Sequence, residues 1–299
     1  MTSTKALCPL CKKNQTTYFG KHSNIEQHVH YCESCNFHFV YPHESFIHTV
    51  TDEEDRDKEE FWGSPEAEVV YLDWRKQENM RIARQVGEVA SSFDKPKVFE
   101  VGLGRGPLTR LILPKVGEYW GIEPVPADLE RSIDELNLDP ERSLCLRAED
   151  LDTCSPFDTM DGYFDIIVMV SVLEHVPNPA EILTSLRRLL KKGGVLIISV
   201  PDSTRFRFFH KLRTLCGIEP WSYFHISFFS DTSLDQLFLN LGFSVADRRR
   251  ASLLTDKSIK YYEVHHSSRL LGLAMKAFKL FQLDNLAHME TIFYVLKKE

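Results

Sequence analysis

The stretch from Val98 to Gly106 limits what this chain can fold into more than any other. Val98-Phe99-Glu100-Val101 is a short, mostly apolar run, Gly102, Gly104 and Gly106 alternate behind it, and a helical pattern follows from Pro107. Such a run reads as a buried strand. Glycines, which lack a Cβ, let the main chain turn sharply and lie against a ligand. Strand, glycine turn and helix in that order open a βαβ unit, and open parallel sheets bind their ligands at the carboxyl ends of such strands.

The same alternation continues along the chain. Residues 97–101, 119–122, 164–170 and 195–200 read as strands. Residues 107–113, 127–136 and 179–190 read as helices, the last closed by Gly193 and Gly194 as a C-cap. Residues 230–242 read as a further helix capped by Ser230 or Asp231, and residues 243–248 and 291–296 as two more strands. The expected fold class is therefore α/β, a doubly wound and mostly parallel seven-stranded sheet over residues 95–299. Upstream, Val69, Val70, Leu72, Ile82, Val86 and Val89 recur among charges and predict one or two amphipathic helices over residues 66–93. With the charged, mostly acidic run at 51–60, residues 46–94 read as a linker followed by leading helices.

Seven cysteines are present, and four of them are paired as Cys8-Pro-Leu-Cys11 and Cys32-Glu-Ser-Cys35, while Cys145, Cys154 and Cys216 stand alone. Two residues between sulfurs let one tight knuckle present both thiolates to one ion, and two knuckles complete a tetrahedral site. Residues 1–45 thus read as a small zinc ribbon with Cys8, Cys11, Cys32 and Cys35 as ligands. After the second knuckle a strand is expected at residues 37–41 and ends at Pro42. A closed thiolate cage leaves no position for an activated water, so the zinc is expected to be structural. His22, His28, His30 and His38 lack the paired spacing of the cysteines.

Spacing narrows the ligand of the glycine turn. A dinucleotide fingerprint is G-x-G-x-x-G, whereas here the third glycine comes one residue earlier and Pro107 follows it; no G-K-[ST] follows for a Walker loop. At this point the chain resembles the class I S-adenosylmethionine-dependent methyltransferases, whose first motif is an acid followed by G-x-G-x-G. Glu100, Gly102, Gly104 and Gly106 match it. The resemblance implies a Rossmann-like methyltransferase fold with S-adenosylmethionine as cofactor, Glu100 near its ammonium group, and Glu123 of Gly121-Ile122-Glu123-Pro124 on the ribose hydroxyls. Arg147-Ala148-Glu149-Asp150-Leu151 is similar to the adenine segment, with Arg147 where relatives carry Asp, so main-chain amides of Ala148 and Glu149 are the expected contacts. Ser171 to Pro179 resembles the motif that follows the fourth strand in small-molecule members, and Ser171 is expected to border the cofactor. Ubiquinone-biosynthesis O-methyltransferases resemble this segment and use it to help hold a divalent ion, but Ser171 stands where they carry a further acid, so no catalytic metal is expected.

A sulfonium methyl is already activated, so the protein has chiefly to align the acceptor and, for a hydroxyl, remove its proton. His225 and His175 are the candidate general bases. An aromatic-rich stretch, residues 203–229, and residues 255–288 are candidate substrate or lid segments; residues 270–281 read equally as lid, homodimer contact or core packing. The acceptor is expected to be a small molecule methylated on oxygen. The alternatives are an RNA base methyltransferase using the ribbon to grip RNA and an NAD-binding protein. A net charge of −7 argues against nucleic acid, and no apolar run reaches the roughly 20 residues that cross a bilayer, so a cytoplasmic protein is expected.

Overall fold

The computed structural model describes residues 6–21, 28–42, 65–204, 225–252, 255–265, 269–281 and 290–299. The charged run at 51–60, His22, Cys216 and the aromatic residues Phe206, Phe208, Phe209, Trp221, Tyr223 and Phe224 lie outside the described residues.

Seven strands form the large sheet: β4 (Lys97–Val101), β5 (Glu118–Ile122), β6 (Ser143–Leu144), β7 (Phe164–Val170), β8 (Leu190–Pro201), β10 (Phe243–Ser252) and β11 (Glu290–Lys298). Their order is β10-β11-β8-β7-β4-β5-β6. All neighbours from β8 to β6 pair in parallel, and β11 pairs antiparallel to both β8 and β10. The expected sheet is thus present, with β4 in the middle of its five parallel strands. Strand order reverses there, between β5 on one side and β7 on the other, which opens a crevice at the carboxyl end of β4. The helices are α1 (Pro65–Ala90), α2 (Thr109–Ile112), α3 (Pro126–Leu136), α4 (Pro179–Leu189), α5 (Asp231–Asn240), α6 (Asp256–His265) and α7 (Arg269–Leu280).

Both faces of the sheet are covered. Trp74, Glu78, Ile82, Val86 and Ala90 recur at helical spacing along α1 and are buried. Ile82 and Val86 pack with Val98, Ile166, Val168 and Ile197 of the central strands. On the opposite face Phe99, Phe157 and Phe164 stack within 4.9–6.5 Å of one another, beside Leu183 and Leu186 of α4. Ser230 caps α5 through a reciprocal bond with Ser233, as the sequence predicts. The predicted cap of α4 is corrected: the helix ends at Leu189, Leu190 takes the C-cap position in an extended conformation, and Gly193 and Gly194 lie within β8. A Cβ on Gly194 would stand 2.9 Å from Lys191 O and 3.2 Å from Asp165 O, so close backbone approach within β8 and from β7, not a helix end, accounts for it.

The amino-terminal residues form β1 (Thr16–Lys21), β2 (His28–Cys32) and β3 (Phe37–Tyr41), an antiparallel ribbon whose fourth strand, β9 (Ser227–Phe228), comes from the far end of the chain. Ribbon and large domain share one core: Cys8, Cys32, Phe37 and Phe39 belong to the same buried cluster as Leu173, Phe229 and Leu234. Among the described residues no helix is long and apolar enough to cross a membrane.

Candidate functional site

At the end of β4 the chain turns through Gly102, Gly104 and Gly106, whose φ values are 76°, 55° and 69°. The N–H groups of Gly102 and Leu103 both donate to Ile122 O, at 2.9 and 3.1 Å, which fastens the turn to the end of β5. Glu123 follows Ile122 and is buried; its Oε2 accepts the Gly104 N–H at 2.8 Å and its Oε1 accepts the Val125 N–H at 3.2 Å. Ser132 Oγ donates to Gly104 O at 2.9 Å, and Arg105 pairs with Asp128 at 2.9 Å, so α3 braces the outer side of the turn. A Cβ on Gly102 would lie 2.5 Å from Val172 Cγ2, while one on Gly104 would meet nothing within 4 Å. The backbone is therefore tight against the β7 loop at Gly102 and open in front of Gly104.

Glu100 faces the α1 side of the sheet, with Val98. Its Oε2 accepts hydrogen bonds from Thr109 Oγ1 and Tyr119 Oη, each at 2.8 Å, and the residue is 4 % exposed. Burial pushes its carboxyl up to about 7 against those two hydrogen bonds, and the nearby Glu123 charge adds to the rise.

A cleft opens beside the turn. It is lined by Val101, Ile122, Leu146, Val172, Ala148, Glu149 and His175. A mostly apolar slot is suited to a flat aromatic base.

On the β7 side of the cleft Ser171 adopts φ 53°, a strained conformation for a serine, and its Oγ accepts from Arg75 Nη2 at 3.1 Å. Arg75 also pairs with Glu78, both from α1. Beyond Ser171, Glu174 is 1 % exposed and its Oε2 is buried without a hydrogen-bond partner among the described residues. Burial pushes its carboxyl up to about 8, opposed by a hydrogen bond from its own backbone and the Arg75 charge, and reinforced by Glu78. The rings of His175 and His225 lie 4.9 Å apart, and one ligand atom each from Glu174, His175 and His225 fall within 4.8 Å of one another. Two candidates separated by 50 residues in sequence are thus adjacent.

The four paired cysteines also meet, with one sulfur each within 4.8 Å of the others and Cys11 Sγ 3.8 Å from Cys32 Sγ. Tetrahedral bonds of about 2.3 Å to zinc place sulfurs about 3.8 Å apart, so the set fits that ion. Each knuckle closes on a left-handed residue directly after its second cysteine, Lys12 with φ 58° and Asn36 with φ 48°. The Cys8 thiol is held down at about 6, chiefly by the neighbouring Cys35, and burial pushes Cys32 up to about 11.

Of the sequence-predicted residues, Gly102, Ala148, Glu149 and His175 line the cleft, His225 lies against His175, and the four cysteines meet in the ribbon, whereas Glu100 is turned to Thr109 and Tyr119 and Ser171 to Arg75. Arg75 and Glu78 were not foreseen. An arginine and an acid three residues apart on the face that otherwise buries Trp74, Ile82 and Val86 are the signal that marks them.

A family model described as a methyltransferase domain matches residues 72–247, more than half of the chain. The chain is 27% identical over 158 residues to a ubiquinone biosynthesis O-methyltransferase of Psychrobacter arcticus, covering 50% of this chain and 60% of that protein. It is 31% identical over 150 residues to a highly reducing polyketide synthase of Aspergillus terreus, covering 48% of this chain and 6% of the synthase. The chain thus spans less than two thirds of either relative. Among solved structures, the [4+2]-cyclase SpnF superposes with a TM-score of 0.51 at 18% identity, over 73% of this chain and 80% of that one. The YcgJ protein of Bacillus subtilis superposes with a TM-score of 0.50 at 13% identity, over 72% and 98%. At these identities the two structures bear on the fold alone.

Proposed function

The chain belongs to the methyltransferase-domain family, and on that premise we propose that it carries the methyl group of S-adenosylmethionine to a hydroxyl oxygen of a small-molecule acceptor. The observation that supports this reading most is the meeting of Glu174, His175 and His225 beside the cleft that begins at Gly102. When bound, the cofactor supplies a sulfonium methyl open to in-line displacement. The chain's own residues supply the rest. The Gly102–Gly106 main chain and Glu100 receive the methionine part, and a Glu123 carboxylate braced by two N–H groups receives ribose hydroxyls. Ala148 and Glu149 line the slot that takes the base, and Ser171, held by Arg75, adjoins Val172 of its lining. His225, with His175 against it, takes the acceptor's proton as the oxygen attacks. The name of the Psychrobacter relative supports oxygen as the acceptor atom.

One observation favours a second reading of the same cluster. A carboxylate and two imidazoles within 4.8 Å, with Glu174 Oε2 buried and lacking a partner among the described residues, also suit a divalent cation that would orient the acceptor's oxygens.

The cofactor assignment is tested by binding. S-adenosylhomocysteine is expected to raise the melting temperature and NAD to leave it unchanged, since only a ligand of the native state stabilises it. Glu100 adds a pH dependence. Its folded value, about 7, lies above its ordinary value of 4.5, so the protonated form favours the fold and that contribution is lost as pH rises through about 7. An ammonium placed beside Glu100 prefers the ionised form. Affinity for S-adenosylhomocysteine is therefore expected to increase from pH 5.5 to pH 7 and then level off, by up to about tenfold per unit. Glu100→Gln is expected to flatten the rise. Stabilisation by NAD alone, or an affinity independent of pH in the unaltered protein, would contradict these assignments.

A further inference from the structure

A closed four-cysteine site has no chemical need to touch a methyl-transfer site, yet here the two meet through main-chain hydrogen bonds. β3 begins two residues after Cys35, and its outer edge carries β9: His38 pairs with Phe228 and Phe39 with Ser227. The Val40 N–H donates to Ile226 O at 2.8 Å, and the Ile226 N–H donates to Glu174 O at 2.9 Å. Main chain adjoining His225 is thus strung between the ribbon on one side and Glu174 on the other. Val29, Val40, Ile226 and Phe228 bury one another as a separate apolar cluster across this junction. Beyond it, Ser230 Oγ donates to Asn36 O at 3.2 Å, and the rings of Phe37 and Phe229 lie 5.0 Å apart. The other knuckle is fastened as well. Lys12, next to Cys11, donates to Asn178 Oδ1 at 3.0 Å and pairs with Glu181 at 2.7 Å, holding the segment that follows Glu174 and His175.

We infer that the zinc ribbon is a positioning element of the methyl-transfer site, its β3 edge holding residues 226–230 so that the His225 ring stays against His175 and Glu174. The inference rests on the reading of His225 as the acceptor's base. A two-residue strand such as β9 cannot hold its own geometry in water, because strands gain stability only from their neighbours. Ions in closed sites fold the knuckles that bind them, so the shape of β3 depends on the metal. A displacement of about 1 Å in a reacting group can cost about 100-fold in rate. Most residues read as cofactor-binding lie elsewhere, in the turn after β4, at Glu123 after β5 and at Ala148 and Glu149, and among the described residues the ribbon makes no ladder with β4 or β5.

The test compares the full-length zinc-loaded protein, the same protein after zinc is stripped by a chelator, and Val40→Pro, which removes the N–H donated to Ile226 while leaving the cysteines in place. Zinc content, S-adenosylhomocysteine affinity, turnover and the histidine ring signals in a ¹H–¹⁵N correlation spectrum are measured on each, with the His225 signal assigned by its loss in His225→Gln. Stripping zinc is expected to lower kcat about 100-fold, leave homocysteine affinity within about twofold and shift the His225 ring signal, with recovery on zinc return. Val40→Pro is expected to do the same with about one zinc retained per chain. If Val40→Pro does not fold, the zinc-stripped protein decides alone. An unmoved His225 signal with unchanged kcat overturns the inference, and so does a joint loss of turnover and homocysteine affinity, which would mark general unfolding. Full turnover in His225→Gln would overturn the base reading itself, whereas a dead His225→Gln beside an active zinc-free protein would overturn only the positioning role.

Discussion

Gly102→Ala is expected to weaken S-adenosylhomocysteine binding by at least about 100-fold and to lower the melting temperature by roughly 5 °C. Two costs combine. At φ 76° an alanine sits in the left-handed region, a penalty of about 1 kcal/mol or more. Its Cβ would also stand 2.5 Å from Val172 Cγ2, and a β-branched side chain has little rotameric freedom with which to retreat. Relief then requires movement of the main chain. That movement breaks the Gly102 N–H bond to Ile122 O and shifts Val172, so the turn and one wall of the cleft are lost together. Gly104→Ala makes the informative comparison, because φ is again positive but the space in front is open. Its melting temperature is expected to fall less than that of Gly102→Ala, while the added methyl enters the ligand's space and binding is lost nearly as fully. Calorimetric titration of both variants checks this, and binding of Gly102→Ala within threefold of the unaltered protein would contradict the placement of the cofactor.

The second large effect concerns His225. His225→Gln keeps a hydrogen-bonding side chain of similar reach but cannot accept and release a proton near neutral pH. Turnover is expected to fall by about 10²–10⁴, the usual worth of a positioned base, with homocysteine affinity unchanged. His175→Gln should behave differently. His175 lines the cleft and touches the His225 ring, so its loss is expected to raise the Kd for the cofactor as well as reduce turnover. Desalted, zinc-loaded enzyme supplied with Mg²⁺ or Mn²⁺ separates the two readings of the cluster: turnover independent of added cation favours the base, and turnover that requires it favours a cation held by Glu174, His175 and His225. Wild-type rates in both histidine variants would remove both readings.

Much of this was legible in the sequence because the central strands are buried on both faces and read as short apolar runs. The sequence places β4, β5 and β7 to within a residue, the second half of β8, the glycine turn, and Glu123 at the end of β5. β6 is two residues long and leaves no periodicity to read. Gly193-Gly194 has the composition of a helix end, and only the left-handed φ of Gly193 and the close approach of Lys191 O and Asp165 O to Gly194 show why β8 needs it. Glu100 was expected beside an ammonium group, and no sequence pattern indicates that one of its oxygens is engaged by Thr109 and Tyr119. The cysteine pairs announced the knuckles, but not where the ribbon docks. Pairing of Phe39 with Ser227 joins residues nearly two hundred positions apart, and such contacts leave no local trace. Arg75 was hidden for the same reason, since its meaning depends on Ser171 and Glu174 lying across the crevice.

The central claim is transfer of a methyl group to a small hydroxylated molecule, and incubation with methyl-labelled S-adenosylmethionine and a fractionated extract of the source cells tests it most directly. Label is predicted in a low-molecular-weight product, bound as a base-stable methyl ether, and absent from that product with His225→Gln. Label recovered in RNA or protein, or in no fraction at all, would contradict the account.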